Sequence, residues 1–337
     1  MKFLKFGVGI PNCREGMFYP MSFVQPQDIV KLVQLAERLG FDSVWGTDFI
    51  NPSPTMKFPE MAKPNWYELM ITLSYLAAAT KTIKLAAGVI LLPYRDPVIL
   101  AKQAATLDQF SGGRFLFGWG LGGYRDEFLS IKGKMQKAHR GKMLEEHMEA
   151  LHLLLNSKGK VDFKGEYYEF HDVELNPKPI QKPLPIFISG HTSEAPKRLA
   201  KWGTGFSVSS KLIAEFNGNL NNAMTHLKES IAKEGVDPEI YDYELSTQLI
   251  MANNFDEGVK KLKECYLGKR LGARNPIEAI ISTSLIGSAE DIASQAQAIK
   301  ETGITLCMAT NIAVDNFPAM MEQVQWFGED IIPKFDI

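Results

Sequence analysis

Cysteine, histidine and net charge are all scarce in this chain. Its 337 residues include 3 cysteines, Cys13, Cys265 and Cys307, an odd number at wide spacings. That pattern gives neither a disulfide framework nor a paired-cysteine zinc motif, and a reducing cytoplasm is the expected compartment. The 6 histidines, His139, His147, His152, His171, His191 and His226, show no metal-ligand spacing. His147 and His152 fall on different faces of one helical pattern, so no metal is expected. Long apolar runs are absent too. The longest, residues 85–92, stops at Pro93, and the first residues hold no apolar stretch of signal-peptide length. No membrane partner is expected. Lys+Arg 37 against Asp+Glu 39 leaves a net charge of -2. This removes the bulk electrostatic reason for binding nucleic acid or an anionic surface, though not a local site for one phosphate. A Walker loop and a serine nucleophile elbow are missing as well.

What the chain has is rhythm. With 45% hydrophobic residues it can bury a large core. Short apolar runs at residues 4–10, 42–46, 83–92, 114–120, 185–190, 205–208, 244–252 and 304–310 read as strands, and amphipathic helix patterns follow them. Ile29, Leu32, Val33, Ala36 and Leu39 mark one helical face that ends at Gly40. Asp96 precedes a first-turn proline, Pro97, and Ser288 with Asp291 has capping-box spacing. Eight parallel strands joined by helices must be covered on both faces. The expected fold is α/β, a (β/α)8 TIM barrel in a single domain over residues 1–337, with a doubly wound sheet as the alternative. The rhythm breaks at about residues 157–184, where Gly165, Pro177, Pro179 and Pro183 surround aromatic Tyr167, Tyr168 and Phe170. That stretch reads as an insertion between strands 4 and 5 that contains a short hairpin.

In a barrel the chemistry sits where strands end. Gly118, Gly120 and Gly123 spell G-x-G-x-x-G after the fourth strand. A dinucleotide site would place this in the first βαβ unit and lead directly into a long helix, so a flat ligand lying close to the backbone is the better reading. Gly190, His191, Thr192 and Ser193 stand between a strand and a helix, where free N–H groups can take an anion. Plain helix capping by Thr192 or Ser193 explains the same residues. Ser288 is assigned only to capping, because Glu290 and Asp291 would repel an anion there. Asp96 is read as a cap, and a loop salt bridge is the plain reading of Arg95, which is left open. Arg140, opening a long helix, pairs either with a phosphate or with nearby glutamates.

Several longer strings together point further. They are AERLGFDSVW (36–45), AAATKTIKLAAGVILLPYRDP (77–97), AKQAATLDQFSGGRFLFGWGLGGYRDEF (101–128), NPKPIQKPLPIFISG (176–190) and GSAEDIASQAQAIKETGI (287–304). In this order they resemble the bacterial luciferase-like flavin-dependent oxidoreductases, most closely the branch labelled deazaflavin-dependent. The resemblance implies a TIM barrel with reduced FMN, or a deazaflavin coenzyme, over its C-terminal mouth. It implies a cis peptide at Gly88-Val89 behind the flavin ring and the cofactor phosphate at residues 190–193. Asp48, Gly120 and Arg140 complete the expected cofactor set. A small organic substrate, a separate flavin reductase and a homodimer are the implied partners.

Two departures matter. Relatives carry an acidic residue followed by His after strand two, whereas here Asp48 is followed by Phe49, which exchanges no proton. The luciferase phosphate arginine corresponds to Leu121 and the dehydrogenase general acid to Gly123. Neither specific activity is carried over. His191, Tyr94 and Tyr124 are the remaining acid–base candidates. The expected activity is that of a two-component monooxygenase using reduced FMN and O2. The alternatives are deazaflavin-dependent hydride transfer and, motivated by Phe49, a flavin-binding protein without turnover.

Overall fold

The structure, a computed structural model, describes residues 3–56, 58, 63–273 and 277–335. Eight parallel strands close into a barrel: Lys5–Gly9 (β1), Ser43–Gly46 (β2), Lys84–Leu91 (β3), Phe115–Gly120 (β4), Ile186–Ser189 (β5), Gly205–Val208 (β6), Asp242–Met251 (β7) and Leu306–Ile312 (β8). Every neighbouring pair is parallel, and the ring closes where Gly205 to Val208 of β6 face Asp242 to Leu245 of β7. Helices between the strands cover the outside, which is why β2, β4 and β6 are buried along their whole length. Among the described residues no helix is long and apolar enough to cross a membrane.

The strand ends carry the signals expected of them. Asp96 accepts from the N–H groups of Val98 and Ile99 and starts the helix Pro97–Ser111. Ser288 and Asp291 form the reciprocal capping box of the helix Ala289–Glu301. The insertion folds back as an antiparallel hairpin of Val161–Lys164 and Glu169–Val173. One element goes beyond the eight expected strands. Ser284–Gly287 lies parallel to the outer end of β7, with Ser284 opposite Gln248 and Gly287 opposite Met251. It fills the edge that β7 exposes once it has run past β6.

Two apolar layers result. The larger fills the space between strands and helices, and the smaller lies inside the barrel, where Trp45, Ala86, Leu116, Phe187, Leu306 and Met308 form its floor. Above that floor β3 departs from regular pairing. Its register against β4 skips between Ala87 and Ile90, and the Gly88-Val89 peptide in the gap is cis. The bulge pushes into β4. A Cβ on Gly118 would overlap the Ala87 carbonyl oxygen, and one on Gly120 would overlap the Val89 side chain. The glycines of the G-x-G-x-x-G string thus make room for β3 itself, in a way that spacing alone does not reveal.

This contact gives a direct test. Gly118→Ala is expected to cost about 1–3 kcal/mol through overpacking against backbone that cannot swing aside. Gly123→Ala, where an added Cβ meets nothing within 4 Å, should lie within about 0.5 kcal/mol of the parent. Urea midpoints of the two variants check the contrast, and equal midpoints would contradict it.

Candidate active site at the mouth of the barrel

The C-terminal rim is tied together by one buried ion pair. Asp48, just past β2, accepts from Arg95 at both oxygens, 2.7 Å from Nη2 and 3.2 Å from Nε, and from the Leu91 N–H at 2.9 Å. Arg95 reaches Glu68 as well, at 2.7 Å. Burial pushes the Asp48 carboxyl up and Arg95 pulls it back down, while Asp48 and Glu68 hold the guanidinium above its usual value against its own burial. The Asp48 carboxylate is fully engaged in joining the ends of β2 and β3. Arg95 makes the salt bridge of its plain reading, and its partner lies 47 residues away in sequence.

A second tie joins the loops after β2, β3 and β4. Tyr94 donates to the Tyr124 carbonyl at 3.0 Å and stands 3.4 Å from Glu127. Glu127 also accepts from the Ile50 N–H, and burial pushes its carboxyl up to about 6. Burial likewise raises the Tyr94 phenol. Phe49 packs against Trp66 and Tyr124, with ring centroids 5.1 and 6.2 Å away. Phe49 thus gives this side of the rim an apolar aromatic wall.

At the opposite side of the mouth, Gly190 lets the helix Glu194–Trp202 approach β5, since a Cβ there would press on Ala195. Ser193 takes the N-cap position with no side-chain cap hydrogen bond. The capping explanation for the Thr192 and Ser193 hydroxyls therefore does not hold for Ser193. His191, Thr192 and Ser193 are exposed on a cavity of about 340 Å³ between the helices Glu194–Trp202 and Leu220–Lys233, whose wall carries Lys197, Lys233 and His226 and also Glu215 and Glu234. Arg140 stands elsewhere. Its Nη1 approaches the carbonyls of Gly122 and Tyr124 at 3.3 and 3.4 Å, so its observed partners are neither a glutamate nor the 190–193 turn.

Sequence reasoning passed over the loop after β1. Arg14 is buried, its Nη1 donating to Asn311 at 2.6 Å and Nη2 to Thr47 at 2.8 Å, while Nε has no partner. Among the described residues no carboxylate pairs with it, and burial lowers its pKa. Asn12 binds Thr47 through both backbone groups and reaches the Tyr67 carbonyl. Cys13 points its thiol at the Tyr67 and Phe49 carbonyls, and burial pushes it up to about 12, so it is a structural thiol. Among the described residues no cluster of metal-ligating side chains occurs.

A closed parallel barrel with a bulged third strand and an open helix start after the fifth defines a (β/α)8 barrel whose candidate site lies at its C-terminal mouth. The profile of the luciferase-like monooxygenase family matches residues 4–306, and the chain belongs to that family. It is similar to the FMNH2-dependent dimethylsulfone monooxygenase of Pseudomonas putida, 27% identical over 98% of this chain and 94% of that protein. It is also similar to the F420-dependent glucose-6-phosphate dehydrogenase of Amycolatopsis mediterranei, 25% identical over 92% of this chain and 94% of that one. In fold it matches the monooxygenase RslO1 from Streptomyces bottropensis with a TM-score of 0.78 at 19% identity, covering 98% of this chain and 100% of that one. Family members thus include both reduced-FMN monooxygenases and F420-dependent oxidoreductases.

The Asp48–Arg95 pair sets the first expectation at this site. Asp48→Asn removes one charge from a buried bidentate pair and is expected to destabilise the fold by about 3 kcal/mol. Chemical denaturation checks it, and a change below about 1 kcal/mol would mean the pair contributes no more than a surface bridge.

Proposed function

We propose that the chain is the oxygenase component of a two-component flavin monooxygenase: it takes reduced FMN from a separate reductase and oxygenates a small organic substrate. The observation that carries the reading is the open turn of Gly190, His191, Thr192 and Ser193, with a helix start that no side chain caps, facing a cavity. Backbone N–H groups at such a terminus suit a phosphate dianion, and the one acid in its first turn, Glu194, is paired with Lys197 at 2.9 Å. The fit extends to the ring. The β3 bulge at Gly88 and Val89 presents partly exposed backbone across the mouth, the shape a flat heterocycle requires.

Reduced FMN, when bound, supplies the oxygen chemistry, and the chain's own task is to hold and shield it. Asp48 with Arg95 fixes the ends of β2 and β3 and so holds the bulge in place. Phe49, Trp66 and Tyr124 exclude water from one side of the mouth. That dry wall suits oxygenation, because excluding water limits side reactions. The F420-dependent relative supports deazaflavin as the second reading. A homodimer is part of the proposal, formed through the helices Leu69–Ala79 and Pro97–Ser111, where Ile71, Tyr75, Ile99 and Phe110 stand exposed.

Two experiments test the reading. Thr192→Asp places a carboxylate where the phosphate should lie. It should weaken reduced FMN at least about 10-fold, roughly 1.4 kcal/mol, and leave riboflavin, which has no phosphate, within about 2-fold. Equal losses for both ligands would remove the phosphate from this turn. Binding of reduced deazaflavin with none of FMN would transfer the proposal to hydride transfer. For the dimer, Ile71→Lys should convert the sedimenting species to a monomer, and an unchanged species would exclude this face.

A further inference from the structure

β7 lies across the barrel from β3, four strands away in the ring. Its outward residues Tyr243, Leu245 and Leu249 join the layer under the helices, so by alternation Glu244, Ser246 and Gln248 face the lumen. An acid on that inner face is unexpected, because the floor at the same level is apolar: Leu306 of β8 stands directly opposite Glu244. Glu244 is 1% exposed and has no cationic partner among the described residues. Its two oxygens are held by hydroxyls alone, Ser207 of β6 donating to Oε2 and Ser246 to Oε1 at 2.8 Å. Ser246 is exposed. A buried carboxyl is therefore one hydroxyl away from the open lumen.

We infer that Glu244 and Ser246 form a proton relay in the wall opposite the β3 bulge, with Glu244 holding the proton and Ser246 passing it to the ligand above. The inference rests on the proposed flavin site. When Glu244 carries the proton the direction of the 2.8 Å contact reverses, so that its O–H donates to Ser246 Oγ and the Ser246 hydroxyl turns toward the lumen. In the transfer, the Glu244 O–H bond breaks as Ser246 Oγ gains that proton and releases its own to an acceptor above. The carboxylate left behind is held by Ser207 and by the new Ser246 donor, and solvent at exposed Ser246 restores the proton by the reverse path. Oxygen activation and hydride transfer both consume such a proton, and Phe49 leaves none to come from the usual rim position. Burial lifts the Glu244 carboxyl to about 7, against the lowering effect of its two serine donors, so the proton is available near neutrality. The Cys307 thiol of β8 senses its charge from the outward face, beside Thr247, and burial keeps that thiol neutral by pushing it up to about 12.

The test has a ligand-free arm and a loaded arm. In the ligand-free protein, infrared difference spectra between about pH 5.5 and 8.5 should show loss of a protonated carboxyl band that is missing in Glu244→Gln. In the loaded arm, single-turnover oxidation of bound reduced FMN by O2 should be fastest below about 7 and fall above it. Glu244→Gln should slow it at least ~100-fold and make it independent of pH, with reduced FMN affinity kept within about 3-fold. Ser246→Ala, a milder change on an exposed position, should slow it about 10-fold while the infrared band remains. A wild-type rate and pH profile in both variants, or no carboxyl band from Glu244, overturns the relay. Failure of the wild type to bind reduced FMN overturns instead the site on which the relay depends.

Discussion

The mouth of this barrel depends on the crowding of β3 against β4. A strand that bulges inward at Gly88 and Val89 can remain in a parallel barrel only if its neighbour gives way, and β4 does so by carrying glycine at 118 and 120. The bulge is what breaks the uniform inner wall and gives the lumen two unlike sides. On one side backbone is presented at β3. On the other, across the ring, β7 presents Glu244, Ser246 and Gln248. The rim ties follow from the same geometry. Once β3 has bulged, its end must be fixed again, and Asp48 does this by taking both the Leu91 N–H and the Arg95 guanidinium.

Charge is used sparingly and locally. The chain's net charge is -2, yet its C-terminal rim buries several charged or titratable groups: Arg14, Asp48, Glu127 and, deeper, Glu244. They are treated in three ways. Asp48 is neutralised by a guanidinium, and Arg14 is held by neutral amide and hydroxyl oxygens. Glu127 and Glu244 are pushed toward their protonated forms by burial. Groups with such unlike environments packed around one opening are the arrangement expected of a reaction site rather than of a purely structural rim. An anion at the 190–193 turn would be met by backbone dipoles, which leaves these side chains free for positioning and proton exchange.

Much of the fold was legible because parallel strands covered on both faces leave continuous apolar runs, as in Phe115 to Trp119, and because Asp96 and Ser288 announce their helices. Ser284–Gly287 was not legible: four residues immediately before a capping serine look like the approach to a helix. The 190–193 turn could be found from its position alone, whereas the Asp48–Arg95 partnership spans 47 residues and could not. Arg14 looks like any polar residue in a loop until folding buries it. Glu244 and Ser246 are hidden differently. Their alternation with Leu245 and Thr247 reads as an ordinary half-exposed strand, and only barrel closure turns that polar face inward. Gly118 and Gly120 suggested room for a ligand, but the space beside them is filled by β3 itself.

The central claim is that one flavin nucleotide spans the mouth from the β3 bulge to the helix start after β5. Hydrogen exchange of the backbone amides, followed with and without reduced FMN, tests it most directly. The account predicts slowed exchange in two segments separated in sequence, residues 88–92 and 190–195, with the insertion at 157–184 unchanged. Protection confined to the insertion, or none at either predicted segment, would contradict it.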